Sequence, residues 1–381
     1  MTGPDPDLRD APSGRRPSRL LVVMPSWVGD CVMATPALRV LRELLPGAFV
    51  GGLVRPGIDQ LLAGSTHFDE LHVDRAVGMM GPKRVAGRLR RFQFDTALLF
   101  TNSFSTALIT RLAGIPWRTG YVRDGRNLLI TDPLHAPRRK DVAPYNKSLT
   151  DPNAWAPVPA CRYYYRLAVH LLADAGLDAG PMGPLELVVT REEQLLATDL
   201  LREAGVTDEE RERGIVLLNP GGNNAAKRWP ADRYTAVADY VAQHHDMRVL
   251  LNGSPAERDL IKEIAGLCRE STRPVCLPDC GITLSVLKGV IQACRVMVTN
   301  DTGPRHIAAA LGTPLVSLFG PTDHRWTTIP FEDEIIKVAD PDLPEEEVAN
   351  DHPQRCAIDR IGLGDVVAAV NDLLARSTSG A

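Results

Sequence analysis

Apolar residues recur along this chain in two rhythms. Short, nearly continuous runs read as strands buried on both faces: "LLVVM" from Leu20, "AFVGGLV" from Ala48 and "TALLF" from Thr96. Between or after them, "ALRVLRELL" and "STALITRLAG" carry apolar residues at helical spacing. The second half repeats the scheme with "GIVLLNPG", "MRVLLNGS", "VMVTND" and "PLVSLFG". There "ADRYTAVADYVAQHH" sets Tyr234, Val237, Ala238 and Val241 on one helix face, and Pro230 suits the first turn. Such alternation predicts βαβ units and parallel sheets. A chain of 381 residues is long for one core, so two doubly wound α/β units are expected. Ligands would then lie at the carboxyl ends of the strands.

Proline marks the boundaries. Residues 136–162 read as a long surface excursion and 178–187 as the linker between domains. The expected division is a disordered tail at 1–18, domains at 19–180 and 185–360, and a closing helix at 361–376.

No apolar stretch is long enough to span a membrane, and the first residues contain no apolar core of a secretory signal. The seven cysteines include no Cys-x-x-Cys pair; Cys276 and Cys280 lack a neighbouring histidine to complete a zinc set. Free thiols in a reducing compartment are expected. The net charge of −4 is unremarkable, but the segment from Arg75 to Lys140 holds thirteen Lys or Arg against three Asp. That asymmetry suggests an anionic partner for one part of the protein, although a solvated basic helix, "KRVAGRLRRF", accounts for part of it.

Three strand-to-loop junctions could carry chemistry. In "VVMPSWVGD", Asp30 either caps a helix or presents a carboxylate that the helix end keeps ionised. In "LLNPGGNNAAKRWP", Gly221 and Gly222 would let backbone N–H groups approach an anion, with Lys227 and Arg228 adding positive field. It is neither a P-loop nor a dinucleotide fingerprint. In "VMVTNDTGPRHIAAALG", Thr302 and Gly303 open a helix and His306 follows one turn in, a candidate pyrophosphate site. The alternative is that Asp301 caps that helix and His306 is a core histidine.

Together these segments resemble glycosyltransferase family 9, the ADP-heptose:lipopolysaccharide heptosyltransferases, and most closely its heptosyltransferase II branch. The blocks that carry the resemblance are "PSWVGDCVMATPAL", "LLFTNSFSTALITRLAGIPWRTGYVRDGRNLLI", "NPGGNNAAKRWP" and "TNDTGPRHIAAALGTPLVSLFGPTD", in the family's order. The resemblance implies a GT-B fold, with two Rossmann-like domains facing across a cleft, and an inverting transfer. Asp30 then matches the general base and Lys227 the lysine that neutralises the departing diphosphate. Gly221, Gly222, Asn223, Glu257, Ile282, Asp301, Thr302, Gly303 and His306 match the donor site. Ser26, Trp27, Asn102, Arg118, Arg123 and Arg126 match the acceptor side.

The partners so implied are an ADP-sugar and an anionic, lipid-linked oligosaccharide, with no nucleic acid, no cofactor and no metal. The protein is expected to be a cytoplasmic monomer, at most peripheral on the inner membrane. The Asp-Pro-Asp at 340–342 is not read as a metal motif. Only Cys356 stands where heptosyltransferase II members carry several cysteines, and the 136–162 excursion is longer than usual; both concern the acceptor side. The alternatives are another sugar or acceptor, a sugar-nucleotide 2-epimerase of the same architecture, or a non-catalytic sugar-nucleotide-binding protein.

Overall fold

The computed structural model describes residues 14–75, 78–147 and 150–379. These divide into two compact units. The first follows the chain to Val142 and resumes from Asp151 to Leu185; the second takes in Ala143 to Thr150 and the chain from Glu186 onward.

Each unit is built on one six-stranded, all-parallel sheet. In the first, β1 (Arg19–Val23), β2 (Phe49–Val54), β3 (Glu70–Val73), β4 (Thr96–Leu99), β5 (Trp117–Tyr121) and β6 (Asp132–Leu134) lie in the order β3-β2-β1-β4-β5-β6. In the second, β7 (Ile215–Asn219), β8 (Arg248–Leu251), β9 (Val275–Cys276), β10 (Val296–Asn300), β11 (Leu315–Phe319) and β12 (Glu334–Val338) lie in the order β12-β11-β10-β7-β8-β9. Read from the other edge, the second order repeats the first. The strand order therefore reverses between β1 and β4 in one unit and between β7 and β10 in the other, the crevices where doubly wound sheets hold ligands.

The central strands form because their apolar runs can be buried on both faces, as βαβ crossovers require. Leu20 to Val23, Ala97 to Leu99 and Val296 to Val298 are all buried. In the second unit the Ala231–His245 helix presents Tyr234, Val237, Ala238 and Val241 to this core, as its spacing predicts. Trp229, just before that helix, is 1% exposed and its indole N–H donates to the Ile361 carbonyl at 3.0 Å. That bond ties the helix to the approach to the last helix, Leu363–Ser379.

Two expectations need correction. The tail expected at 1–18 falls partly outside the described residues, but from Gly14 onward it is bonded to the first unit, with Pro17 buried and its neighbours exposed. The Arg15 guanidinium lies 3.4 Å above the Trp117 ring, and Ser18 donates through N–H and hydroxyl to the Asp95 carboxylate at 2.9 and 2.6 Å. The Pro-rich excursion at 136–162 is not wholly a surface feature of one unit: Ala143 to Thr150 belong to the second unit and the rest to the first, and Tyr145 is buried beneath the Arg325 guanidinium, 5.0 Å from its ring centre. Among the described residues, no helix is long and apolar enough to cross a membrane.

Candidate active site

In the first unit, β1 passes through Pro25 and Ser26 into the Val28–Met33 helix. Trp27 takes the N-cap position, so Asp30 lies inside the first turn. Its Oδ1 accepts a 2.7 Å hydrogen bond from the hydroxyl of Tyr164, on the Ala160–Asp174 helix. Tyr164 is 7% exposed; burial first, and then the neighbouring Asp30, push its hydroxyl well above the ordinary range. The phenol therefore stays protonated and acts as a fixed donor that orients the carboxylate. Nothing in the sequence pointed to Tyr164, because 134 residues separate it from Asp30.

A cavity of about 350 Å³ opens beside this junction at the ends of β1, β2 and β4. Ser26, Arg55, Ser103, Ser105 and Thr106 give it hydroxyls and one cation. Of the expected acceptor residues, Ser26 lines this cavity and Trp27 stands next to it, 66% exposed. Asn102 is tied down: its Oδ1 accepts from Tyr163 at 3.2 Å and from Arg126 at 3.1 Å.

Two of the three arginines expected on the acceptor side are buried. Arg126 is 0% exposed and donates from Nε and Nη2 to the Tyr121 carbonyl at 3.0 and 2.9 Å; burial lowers its pKa to about 10. Arg118 is 6% exposed and donates to the carbonyls of Leu129, Ile115 and Pro116. Both guanidiniums tie loop carbonyls inside the first unit and present almost no surface to solvent. Arg123 remains half-buried, its guanidinium 4.3 Å above the Trp155 ring, and its Nε finds no partner among the described residues.

In the second unit, three adjacent strands end in asparagine: Asn219 on β7, Asn252 just past β8 and Asn300 on β10. All three are buried and joined. Asn252 donates to Asn219 Oδ1 at 2.7 Å, and Asn219 Nδ2 donates to Thr299 and Thr302 Oγ1 at 3.0 and 2.9 Å. Asn300 Nδ2 donates to the Pro220 and Gly221 carbonyls, while its Oδ1 accepts from the Tyr234 hydroxyl at 3.0 Å. A satisfied amide network of this kind fixes the loops it touches. The signal was present: three apolar runs each stop at Asn.

These loops hold the predicted donor residues. Lys227 Nζ lies 3.2 Å from Asp301 Oδ2, and the Thr327 hydroxyl donates to Asp301 Oδ1 at 3.1 Å. Burial works against ionisation of Asp301, but Arg305, Lys227 and His306 outweigh it and hold the carboxyl below its ordinary value. Arg305, 0% exposed, in turn grips Glu334 with two bonds of 2.7 and 3.0 Å. Thr302 is the N-cap of the Gly303–Leu311 helix, yet its side chain does not cap the turn, nor does that of Asp301. Pro304 has no N–H and the Arg305 N–H donates to the Thr302 carbonyl at 3.2 Å, which leaves the Gly303 N–H at this helix start without a capping side-chain oxygen among the described residues. His306 is 3% exposed, and its Nδ1 has no partner among the described residues. Burial and then Arg305 lower its pKa to about 3, so it is a neutral imidazole.

Glu257 lies against Gly221 and Gly222. A Cβ on Gly221 would fall 2.4 Å from Glu257 Oε1, and the Gly222 N–H donates to that same oxygen at 2.5 Å. The glycines admit the Glu257 carboxylate, whose other oxygen accepts from Ser254 N–H and Oγ at 2.8 Å. Asn223 is exposed on the same loop, and Ile282 is half-buried ahead of the Leu284–Gln292 helix.

What this architecture defines first is a class: a protein of two doubly wound α/β units of one strand order, with a carboxylate after β1 and a lysine–carboxylate pair beside an uncapped helix start after β7 and β10. The model of glycosyltransferase family 9 (heptosyltransferase) matches residues 83–354, and the chain belongs to that family. It is 30% identical to lipopolysaccharide heptosyltransferase 2 of Salmonella typhimurium, over 81% of this chain and 84% of that protein. Identity to the Escherichia coli K12 protein of the same name is 28%, over 81% and 84%. The solved structure of E. coli ADP-heptose lps heptosyltransferase II superposes with a TM-score of 0.75 at 26% identity, covering 94% of this chain and 99% of that one. The GT-B fold expected from the sequence is therefore the fold of this protein.

Proposed function

We propose that this protein transfers a heptose from ADP-heptose to the inner-core oligosaccharide of lipopolysaccharide, on a lipid A acceptor that already carries Kdo and one heptose. The first unit takes the acceptor. Its hydroxyl oxygen forms the new bond to the anomeric carbon as Asp30 takes the proton, and Tyr164 keeps that carboxylate aimed. Positioned base catalysis of this sort contributes on the order of 10²–10⁴-fold.

The second unit takes the donor. As the bond between the anomeric carbon and the phosphate oxygen breaks, ADP departs with the electron pair and the sugar is inverted. Lys227, the uncapped start of the Gly303–Leu311 helix and a neutral N–H from His306 meet the growing negative charge. Ile282 contacts adenine and Glu257 the ribose. Charge stabilisation by Lys227 and the helix start stands in for a metal, and chelation with EDTA is expected to leave activity unchanged. The protein works as a monomer on the cytoplasmic face of the inner membrane.

The observation that carries this reading is the Lys227–Asp301 contact beside an uncapped helix start, at the point where the second sheet reverses its strand order. It supports an anionic leaving group in a family of heptosyltransferases. The test is release of ADP from ADP-heptose with and without the mono-heptosylated Kdo₂-lipid A acceptor. Acceptor-dependent release, with the mass of one heptose gained by the lipid, is the expected result. Release independent of acceptor, or no response to ADP-heptose, overturns it.

A further inference from the structure

Among the described residues of the first unit, the strongly exposed large apolar side chains all stand on connections leaving the carboxyl end of a strand. Trp27 (66% exposed) follows β1, Met79 and Met80 (96% and 53%) follow β3, Phe104 (51%) follows β4 and Leu128 (96%) follows β5. Three of these connections are neighbours. The Gly81–Leu89 and Phe104–Leu112 helices pack together, and the turn at Asn127–Leu129 packs against the second of them. Both helices follow strands of one parallel sheet and return antiparallel to it, so their N-terminal ends share the sheet's carboxyl edge. Met79, Met80, Phe104 and Leu128 thus project from a common rim.

The helix that runs back from this rim is basic on its exposed face. The Gly81–Leu89 helix buries Val85, Ala86 and Leu89 and turns Lys83, Arg84 and Arg88 outward. Arg75, Arg84, Arg88 and Arg91 line one open groove over Gly87. No acidic residue occurs between Asp74 and Asp95. Of those two, Asp74 is buried against Arg55 and Asp95 is held by Ser18. Asp124 is an exposed acid near Leu128. Apolar tips on separate loops, beside a run of cations from Arg75 to Arg91 that holds no acid, suit a soft anionic surface better than a shaped protein partner.

We infer that this rim docks on a bilayer containing anionic phospholipid. Gly78 and Pro82, on either side of Met79–Met80, line the 350 Å³ cavity at the ends of β1, β2 and β4. A lipid-linked sugar entering that cavity would therefore have its acyl chains at the level of the methionines. The inference rests on the reading that the acceptor is lipid-linked, but docking itself needs no turnover.

The test is flotation of the full-length protein with vesicles of phosphatidylcholine, alone or mixed with phosphatidylglycerol, at low and high salt. The protein is expected to float with the anionic vesicles and to be released by salt. Met79→Ser with Met80→Ser is expected to weaken binding about tenfold or more. Arg84→Ser with Arg88→Ser is expected to weaken it at least tenfold, each cation near the surface being worth about fivefold, and to flatten the salt dependence. Leu195→Ser with Leu196→Ser, two exposed leucines of the second unit, is expected to change nothing. All these positions are exposed, and thermal unfolding confirms that the variants fold.

Failure of the wild type to float overturns the proposal, as does equal loss in the leucine variant. Self-association abolished by the methionine variant, with flotation intact, would assign the rim to a second copy of the chain and also overturn it. Flotation without heptose transfer would refute the proposed function alone. Transfer to a deacylated acceptor without flotation would refute the docking alone.

Discussion

The carboxyl edges of the two sheets have the same strand order and opposite character. At the second, buried amides and ion pairs bind neighbouring loops together: Asn219, Asn252 and Asn300 link three strands, and Arg305 joins Asp301 to Glu334. At the first, one buried phenol steadies one carboxylate beside an open cavity of hydroxyls, with apolar side chains facing solvent around it. Topology alone therefore does not dictate how a strand-end site is built. A small, strongly charged leaving group rewards a rigid, preorganised cradle. A large amphiphilic partner is better served by an accessible edge.

The comparison breaks most visibly where the second edge is most buried. Arg305→Met removes a cation from a site with no solvent and leaves Glu334 and Asp301 without it. Breaking one side of a buried pair costs about 3–5 kcal/mol. Urea unfolding is expected to show that loss, with donor binding falling as the Asp301 loop loosens. Unchanged stability would mean that the network is not what holds this edge together.

The next effect sharpens the contrast in function. Asp30→Asn keeps the shape of the first edge, since Asn Oδ1 still accepts from Tyr164. Turnover is expected to fall by about 10²-fold or more, while affinity for ADP-heptose stays within a few-fold. Near-normal turnover would return Asp30 to a role in starting its helix. Lys227→Ala should do the opposite on the opposite edge. Loss of one charge-assisted contact, worth roughly 1.5–3 kcal/mol, weakens donor binding and turnover together. Unchanged kinetics would leave Lys227 as a partner of Asp301 only.

How far these edges could be read from the sequence followed burial. The runs at β1, β2, β4, β7, β8, β10 and β11 were legible because both faces of each strand are covered. By contrast β3 ("ELHV") and β12 ("EIIKV") lie at sheet edges and are half-exposed, so their apolar signal is diluted. Strand β5 ("WRTGY") was missed because it hides Arg118, and a buried arginine bonded only to carbonyls leaves no mark in a pattern of apolar residues. The site divides the same way. Lys227, Asp301 and His306 lie in short motifs with their own loops. Tyr164 meets Asp30 only through tertiary packing, and the Gly221–Glu257 contact needs two loops brought edge to edge.

The smallest expected effect distinguishes the edges through pH. His306 has a native pKa of about 3, set by burial and Arg305, against an ordinary value of 6.5. From pH 6.5 downward the unfolded chain takes up a proton that native His306 refuses. Stability must therefore fall as pH falls, by up to about 1.4 kcal/mol per unit for this one group. Asp301, with its carboxyl below the ordinary value of 3.8, adds its own loss only in stronger acid, so it does not shape this window. His72 in the first unit and His324 in the second are lowered in the same direction, chiefly by burial, and contribute to the gross slope. The informative quantity is the difference between wild type and His306→Asn in chemical denaturation between pH 7 and pH 5. The wild type is expected to lose about 2 kcal/mol more than the variant. Equal slopes would mean that native His306 accepts a proton near neutrality, and the second edge would then hold its anion with a cationic imidazole instead of a neutral donor.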